Sequence, residues 1–501
     1  MLKLSHRMSW YLVSTNTAEI LKLWYGLPFS STLIHKTTSI SLLKPMEKQR
    51  KNQAPHILVL PYPLQGHINP MLQFCKRLIQ EGVKVTLVNT ISIWNKINNI
   101  DLNSIEIESI SDGYDNGGLS SAESMESYKE TFWKVGPKTL SQLLDKLQSS
   151  NKPVHCVVYD AFLHWTFDVS KTFGIPVAVF LTQACSVNTI NFHAFKGWLH
   201  LPLLETEFVL PALPQLEASD LPSFLYQYGT YPGYFDILTN QFSKIDQAHW
   251  VLVNTFYELE PKVVDWLAKK WRLKTIGPCV PSMFLDKGLN DKDYGISLFG
   301  PNSEACIKWL DNKPINSVVY VSFGSLAGLS EDQTNEIAYG LRDSGVYFIW
   351  VIRDTEKNKL SKEFVESSLE KGLIVNWCPQ LQVLTHEAVG CFVTHCGWNS
   401  TLEALSVGVP VIAMPLWTDQ ITNAKFIVDV WKIGVRAVKD AKEIVRREII
   451  EDCVRKIMNT EKGKELKKNA MKWKILAKHS VDEGGSSYKN ILEFVNELTF
   501  Y

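Results

Sequence analysis

The densest chemistry in this 501-residue chain lies between Trp377 and Gln420. The segment opens on Trp-Cys-Pro-Gln, runs through His-Cys-Gly-Trp-Asn-Ser-Thr-Leu-Glu, and closes on Pro-Leu-Trp-Thr-Asp-Gln. His395 follows the apolar run Val389–Thr394, and Gly397 permits a tight turn before a helix that opens near Asn399. A helix N-terminus presents free backbone N–H groups and the positive end of the helix dipole, a ready site for a diphosphate. His395, Asn399, Ser400 and, from a separate turn, Ser325 can add side-chain donors. Asn399 and Ser400 read equally as helix caps, a role compatible with anion binding. Glu403 lies four residues beyond Asn399 on the same helical face. A carboxylate there can accept from a pair of ring hydroxyls, or stand as a solvated surface acid. Trp377 follows a strand end, where open α/β sheets place their ligands, so its indole can stack on a flat base or belong to the core. Gln380 beside it marks chain whose backbone can pair with the edge of that base. Asp419 and Gln420 follow the buried run Val409–Leu416, and an acid next to an amide can bind adjacent hydroxyls.

His67 stands apart, in the turn after the first strand. Imidazole titrates near ~6.5, which suits a general base at neutral pH, although a lone histidine after a strand also serves as an ordinary turn residue. Cys378, His386, Cys391, His395 and Cys396 fall close together. Their spacing is not that of paired Cys-x-x-Cys ligands, and His386-Glu387 lacks the second histidine of a zinc-protease helix, so no metal is expected.

These residues need a scaffold, and the flanking pattern supplies one. His56–Tyr62 is a continuous apolar strand, followed by a turn at Gly66 and a helix from about Asn69 to Glu81. Lys84–Asn89, Val154–Tyr159 and Val177–Leu181 are further short apolar runs between helical stretches. Buried strands alternating with helices imply a parallel sheet covered on both faces. The alternation lapses across 275–302, which holds Gly277, Pro278, Pro281, Gly288, Gly295, Gly300 and Pro301 and reads as an interdomain linker. It resumes with the strand Ser317–Phe323, a helix Ser330–Ser344 capped by Ser330, and the strand Val346–Ile352. Leu373–Asn376, Gly390–Thr394 and Val409–Met414 continue the series. After Gly484-Gly485, the residues Tyr488, Ile491, Leu492, Val495 and Leu498 give a last helix an apolar face that must pack on something. Two α/β domains with a crevice between them is the architecture expected.

The 44-residue span from Trp377 to Gln420 resembles, almost position for position, the donor-binding signature of plant family-one UDP-glycosyltransferases. The resemblance covers most of the chain after Met46, including Gly66-His67-Ile68-Asn69-Pro70 and Ser322-Phe323-Gly324-Ser325. It implies the GT-B fold, an α/β pair of facing Rossmann-like domains with a C-terminal helix crossing back to the N-terminal domain. On that plan the chain divides into an extension at 1–45, an acceptor-binding domain at 46–274, a linker at 275–302, a UDP-sugar-binding domain at 303–483 and the returning helix at 484–501. The resemblance makes His67 the catalytic base and Asp160, followed by Ala161-Phe162, its partner. It assigns the UDP-sugar to Ser325, Trp377, Gln380, His395, Trp398, Asn399, Ser400, Glu403, Asp419 and Gln420. Gln420 together with Trp398 favours UDP-glucose as donor substrate, and no basic residue stands at these positions to attract a glucuronate. No cofactor beyond that donor is implied. The reaction implied is inverting transfer of glucose to a hydroxyl or carboxyl of a small lipophilic plant metabolite. Tyr159-Asp160-Ala161-Phe162 and Ser111-Asp112-Gly113-Tyr114-Asp115 look like the branch acting on carboxylic acids, terpenoids or phenolics. Loops at Ser111–Ser120, Phe162–Trp165, Thr182–Ala184 and Phe224–Tyr234 are expected to line the acceptor pocket.

Composition narrows the field further. Lysine and arginine total 52 against 52 acids, so no net field gathers nucleic acid. No apolar run reaches 18 residues, so no bilayer-spanning segment is expected. Nine cysteines without a short-spaced framework, several inside apolar runs, suit a reduced compartment, and a cytoplasmic monomer is the expected state. The first 45 residues hold five Lys or Arg against Glu19 alone. They read either as an upstream extension before a working start at Met46 or as a transit segment for a plastid or mitochondrion. Three rival readings remain: another UDP-sugar donor, a catalytically silent metabolite-binding protein, and a dinucleotide-dependent oxidoreductase. The intact His67, Asp160, Asp419 and Gln420 argue against the silent binder. Pro61-Tyr62-Pro63-Leu64-Gln65-Gly66 lacks the Gly-x-Gly-x-x-Gly turn that the oxidoreductase would need.

Overall fold

The computed structural model describes residues 54–97, 102, 104–289, 291, 294–296, 303–325, 328–368 and 370–498. The expectations for 1–45, and for parts of 275–302, fall outside the described residues. The first sheet contains β1 (His56–Leu60), β2 (Lys84–Thr90), β3 (Glu106–Ile110), β4 (Cys156–Asp160), β5 (Val177–Leu181), β6 (Trp250–Val253) and β7 (Leu273–Thr275). All pairings are parallel, in the order β3-β2-β1-β4-β5-β6-β7. Every residue of β1, β4 and β5 is buried, which is why these strands read as unbroken apolar runs.

The second sheet holds β8 (Val318–Ser322), β9 (Tyr347–Val351), β10 (Gly372–Val375), β11 (Val389–Thr394), β12 (Val411–Ala413) and β13 (Gly434–Arg436). It is parallel in the order β10-β9-β8-β11-β12-β13, so both halves are Rossmann-like. In each sheet the order reverses beside the first strand, between β1 and β4 and between β8 and β11. Ligands collect at the carboxyl ends of strands at such a reversal. Asp160 ends β4, and His67, Ser325 and His395 follow β1, β8 and β11.

The helix after β1, α1 (Gln65–Gln80), begins four residues earlier than the sequence suggests. His67 therefore sits in its first turn rather than in a loop. Pro70 lies inside α1, and its missing N–H leaves the Gly66 carbonyl without its ordinary helical donor. Asn399 Nδ2 donates to that carbonyl at 2.7 Å from the facing domain. The helix α2 (Trp398–Val407) follows β11 directly and ends at Gly408, whose φ of 76° is the left-handed cap favouring glycine. The last helix, α3 (Ser486–Leu498), packs on the first sheet. Phe494 meets Trp250 edge-on at 5.2 Å, and Asn490 Nδ2 donates to the Thr275 carbonyl at 2.9 Å.

Other contacts join the halves. Trp398 Nε1 donates to the Asn254 carbonyl at 2.7 Å and Thr422 Oγ1 to the Asp220 carbonyl at 2.7 Å. Lys425 and Arg436 pair with the buried Asp220 carboxylate at 3.2 and 3.3 Å. Among the described residues, no helix is long and apolar enough to cross a membrane.

Candidate active site

A cavity of about 490 Å³ opens between the domains and reaches both switch points. On the first-domain side, His67 Nδ1–H donates to Asp160 Oδ2 at 2.6 Å. A carboxylate only accepts, so the proton sits on Nδ1 and the Nε2 lone pair is left for a substrate proton. Asp160 has no exposed surface, and its second oxygen accepts from the Phe162 N–H at 3.0 Å. Thr182 Oγ1 lies 3.3 Å from His67 Nδ1. Phe162 and Tyr62 flank the imidazole with ring centroids at 4.8 and 5.5 Å, fixing its tilt.

Across the cavity, His395 lies between two glycines. A Cβ on Gly324 or Gly397 would fall 2.7 or 2.5 Å from His395 Nε2, so only glycine lets the ring lie there. Gly324 also has a φ of 76°, which a side chain would strain. Burial lowers the His395 pKa to about 4, so the ring is neutral at pH 7 and offers one N–H. Ser325, Trp377, Gln380, Asn399, Ser400 and Glu403 border the same part of the cavity.

Several side chains have partners the sequence did not disclose. Asn399 and Ser400 lie inside the first turn of α2, where Gly397 is the cap and no side chain caps the helix. Asn399 spends its amide on Gly66, and the indole N–H of Trp398 points into the interdomain contact with Asn254 rather than to a donor ligand. Glu403 is not a surface acid. It is 4% exposed, and accepts from Tyr294 Oη at 2.7 Å and from Gln380 Nε2. Burial raises its pKa to about 7. Gln380 also donates to Ser400 Oγ at 3.0 Å and accepts from Tyr320 Oη at 3.1 Å, so its side chain organises the wall around Glu403.

Asp419 and Gln420 line the same cavity from the second domain. Asp419 accepts from Thr418 Oγ1 at 2.6 Å and from Asn423 Nδ2 at 2.8 Å, and burial raises its pKa. Gln420 Oε1 accepts from the Leu416 and Trp417 N–H groups at 3.0 and 3.2 Å. Its amide nitrogen has no protein partner among the described residues and remains a donor for a hydroxyl.

The acceptor side is walled by Tyr62, Phe162, Phe224, Tyr234 and Trp417, with Met125 beneath. Phe224 stacks on Tyr234 at 5.7 Å, and Trp417 closes edge-on against both. No Lys or Arg lines the cavity among the described residues. Thr182, Gln183, Phe162, Phe224 and Tyr234 border it as expected. The Ser111–Ser120 loop does not: Asp112 is buried, accepting from Tyr128 Oη at 2.9 Å and Ser92 Oγ at 3.2 Å. The sequence reading also missed Tyr294, Trp417 and Met125. Tyr294 sits in a linker whose composition announces only irregularity, yet Gln73 and Gln65 of α1 anchor it through the Tyr294 and Ile296 carbonyls.

Known proteins resemble the chain along most of its length. Residues 225–481 match the family described as UDP-glucoronosyl and UDP-glucosyl transferase. Mogroside I-E synthase of Siraitia grosvenorii is 47% identical over 447 residues, 88% of this chain and 98% of that protein. A flavonol 7-O-beta-glucosyltransferase of Arabidopsis thaliana is 46% identical over 460 residues, 90% of this chain and 99% of its own length. The crystal structure of Os79 from O. sativa in complex with UDP superposes with a TM-score of 0.84 at 38% identity. It covers 88% of this chain and 100% of that one.

Proposed function

The chain belongs to the UDP-glucoronosyl and UDP-glucosyl transferase family, and we propose that it is an inverting glucosyltransferase using UDP-glucose on a small lipophilic acceptor. The observation that carries the reading is the His67–Asp160 pair at 2.6 Å, beside a cavity that Asp419 and Gln420 line from the second domain. His67 Nε2 takes the acceptor proton while Asp160 stabilises the imidazolium. The acceptor oxygen attacks the anomeric carbon, its new bond forming as the carbon–phosphate oxygen bond breaks, and UDP departs from the opposite face. An α-linked donor then gives a β-glucoside, or a glucose ester where the acceptor is a carboxylate. The N-terminus of α2 and the neutral His395 N–H support the departing diphosphate, Trp377 the uracil, and Glu403 the ribose hydroxyls. Asp419 and the Gln420 amide bind glucose hydroxyls. The names of the relatives, one a flavonol glucosyltransferase, support glucose as the sugar. The aromatic wall, without a cation, supports a flat or polycyclic neutral acceptor.

The test is UDP release by the full-length protein with UDP-glucose and a panel of phenolic, terpenoid and carboxylic acceptors. Release that depends on acceptor, and falls roughly 10²–10⁴-fold in His67→Ala, is the expected result. A carboxylic acceptor, already ionised, should suffer less from that substitution. Wild-type turnover of a hydroxyl acceptor by His67→Ala would remove the base from the mechanism, and no binding of any UDP-sugar would remove the function.

A further inference from the structure

Thr418 is β-branched and yet has a φ of 57°, in the left-handed region that such residues avoid. It stands immediately before Asp419 and Gln420, so its backbone sets where both side chains point. Conformations of this kind persist only where the surroundings over-determine them. Here the surroundings come from the other domain. Thr418 N–H donates to Ser223 Oγ at 2.7 Å, and the Ser223 N–H donates to the Thr418 carbonyl at 3.0 Å. Both polar groups of the strained peptide are thus satisfied by one residue. Ser223 is 4% exposed, so water does not compete for these bonds. The Thr418 hydroxyl, fixed by the same backbone, donates to Asp419 Oδ1.

The residues on either side strengthen the link. Phe224, next to Ser223, is part of the acceptor wall and lies 5.6 Å from Trp417, next to Thr418. Tyr234 and Tyr231 approach the same indole at 5.2 and 5.9 Å. The acceptor wall of one domain therefore grips the turn of the other that carries the acid and amide.

We propose that Ser223 is a positioning residue for sugar recognition: its hydroxyl and N–H hold the Thr418 turn in the conformation that presents Asp419 and Gln420 to the hexose. The proposal rests on the reading that these two side chains bind the sugar. UDP alone carries no hexose and touches no part of this turn in that reading. Ser223→Ala should therefore leave UDP affinity within about twofold of wild type, while the preference for UDP-glucose over UDP-galactose, taken as a ratio of kcat/KM values, falls about tenfold. The KM for UDP-glucose should rise with it. Ser223→Thr, which keeps the hydroxyl, should retain most of the preference.

The experiment measures these quantities in the full-length wild type, Ser223→Ala, Ser223→Thr and Asp419→Ala, with UDP binding by calorimetry as the check on folding. Loss of preference in Asp419→Ala, a partial loss in Ser223→Ala and recovery in Ser223→Thr support the proposal. Loss in Asp419→Ala with wild-type preference in Ser223→Ala overturns it and leaves the sugar-site reading standing. Loss of UDP binding in Ser223→Ala makes the residue structural and also overturns it. Unchanged preference in Asp419→Ala removes the sugar-site reading, and the proposal with it.

Discussion

At the scale of single residues, Glu403 shows how a side chain's chemistry follows from its surroundings. Sequence spacing placed it on the ligand face of α2, but could not reveal that Tyr294 and Gln380 would enclose it. Partners distant in the chain leave no periodic signal, and the same holds for Asn399 and Trp398, whose polar atoms serve the other domain. Enclosure moves the Glu403 pKa from 4.5 to about 7, so the folded protein keeps a proton that the unfolded chain releases. The stabilisation from that proton is fully present below pH 4.5 and is lost as pH rises through 7. Glu403→Gln keeps the shape without the charge and, like the protonated acid, offers one acceptor oxygen and one donor. It should match wild type near pH 4.5 and exceed it by about 2–4 kcal/mol at pH 8, an order-of-magnitude figure from the size of the shift. Denaturant unfolding of both proteins at the two pH values checks this. Parallel stability–pH curves for the pair would show that the carboxyl does not hold the proton.

Elements differ in how plainly they announce themselves. β1, β5 and β11 were legible because strands buried on both faces must be continuously apolar, and Ser330 declared a helix start by its type, accepting from the Gln333 N–H at 3.1 Å. The start of α1 was not legible, since Pro70 suggests a boundary that the Asn399 contact makes unnecessary. The helix Met125–Ser149 escaped notice, carrying Gly136 and Pro137 in its interior. Turns are decided by close approach, which composition only hints at. Gly397 can be tested alone, because its φ of −59° suits any residue and only the contact with His395 forbids a side chain. Gly397→Ala should push the imidazole from its place and weaken UDP binding about tenfold or more, the scale of a lost charge-assisted hydrogen bond. Calorimetric titration with UDP measures it, with thermal melting to show that the fold survives. UDP affinity equal to wild type would mean that the ring's position does not matter to the nucleotide.

For the molecule as a whole, the site exists only where the two sheets face each other, so what holds them apart or together controls it. The fold class was readable from alternating elements and a motif-level resemblance. The interdomain contacts were not, because Asp220, Lys425 and Arg436 are unremarkable charges until folding brings them within 3.2 and 3.3 Å. Asp220 is buried while its partners are partly exposed, so removing its charge leaves Arg436 beside a neutral amide and Lys425 with Asp429, 2.9 Å away. Breaking such a pair costs about 1–3 kcal/mol, below the limit for fully buried pairs because solvent reaches the cations. That energy lies across the interface and not within either core, so Asp220→Asn should loosen the pairing of domains without unfolding them. On the proposed reading UDP binds mainly to the second domain and should lose little affinity, whereas transfer needs His67 of the first domain and Asp419 of the second at one cavity. The expected outcome is a fall in kcat/KM for the acceptor of several-fold, together with a larger radius of gyration in solution scattering without ligand. Saturating UDP-glucose, which on that reading fills the space between the domains, should shrink that radius back towards wild type. Identical scattering for the two proteins, with or without donor, would show that the other contacts between the domains suffice and that the Asp220 cluster does not set their approach.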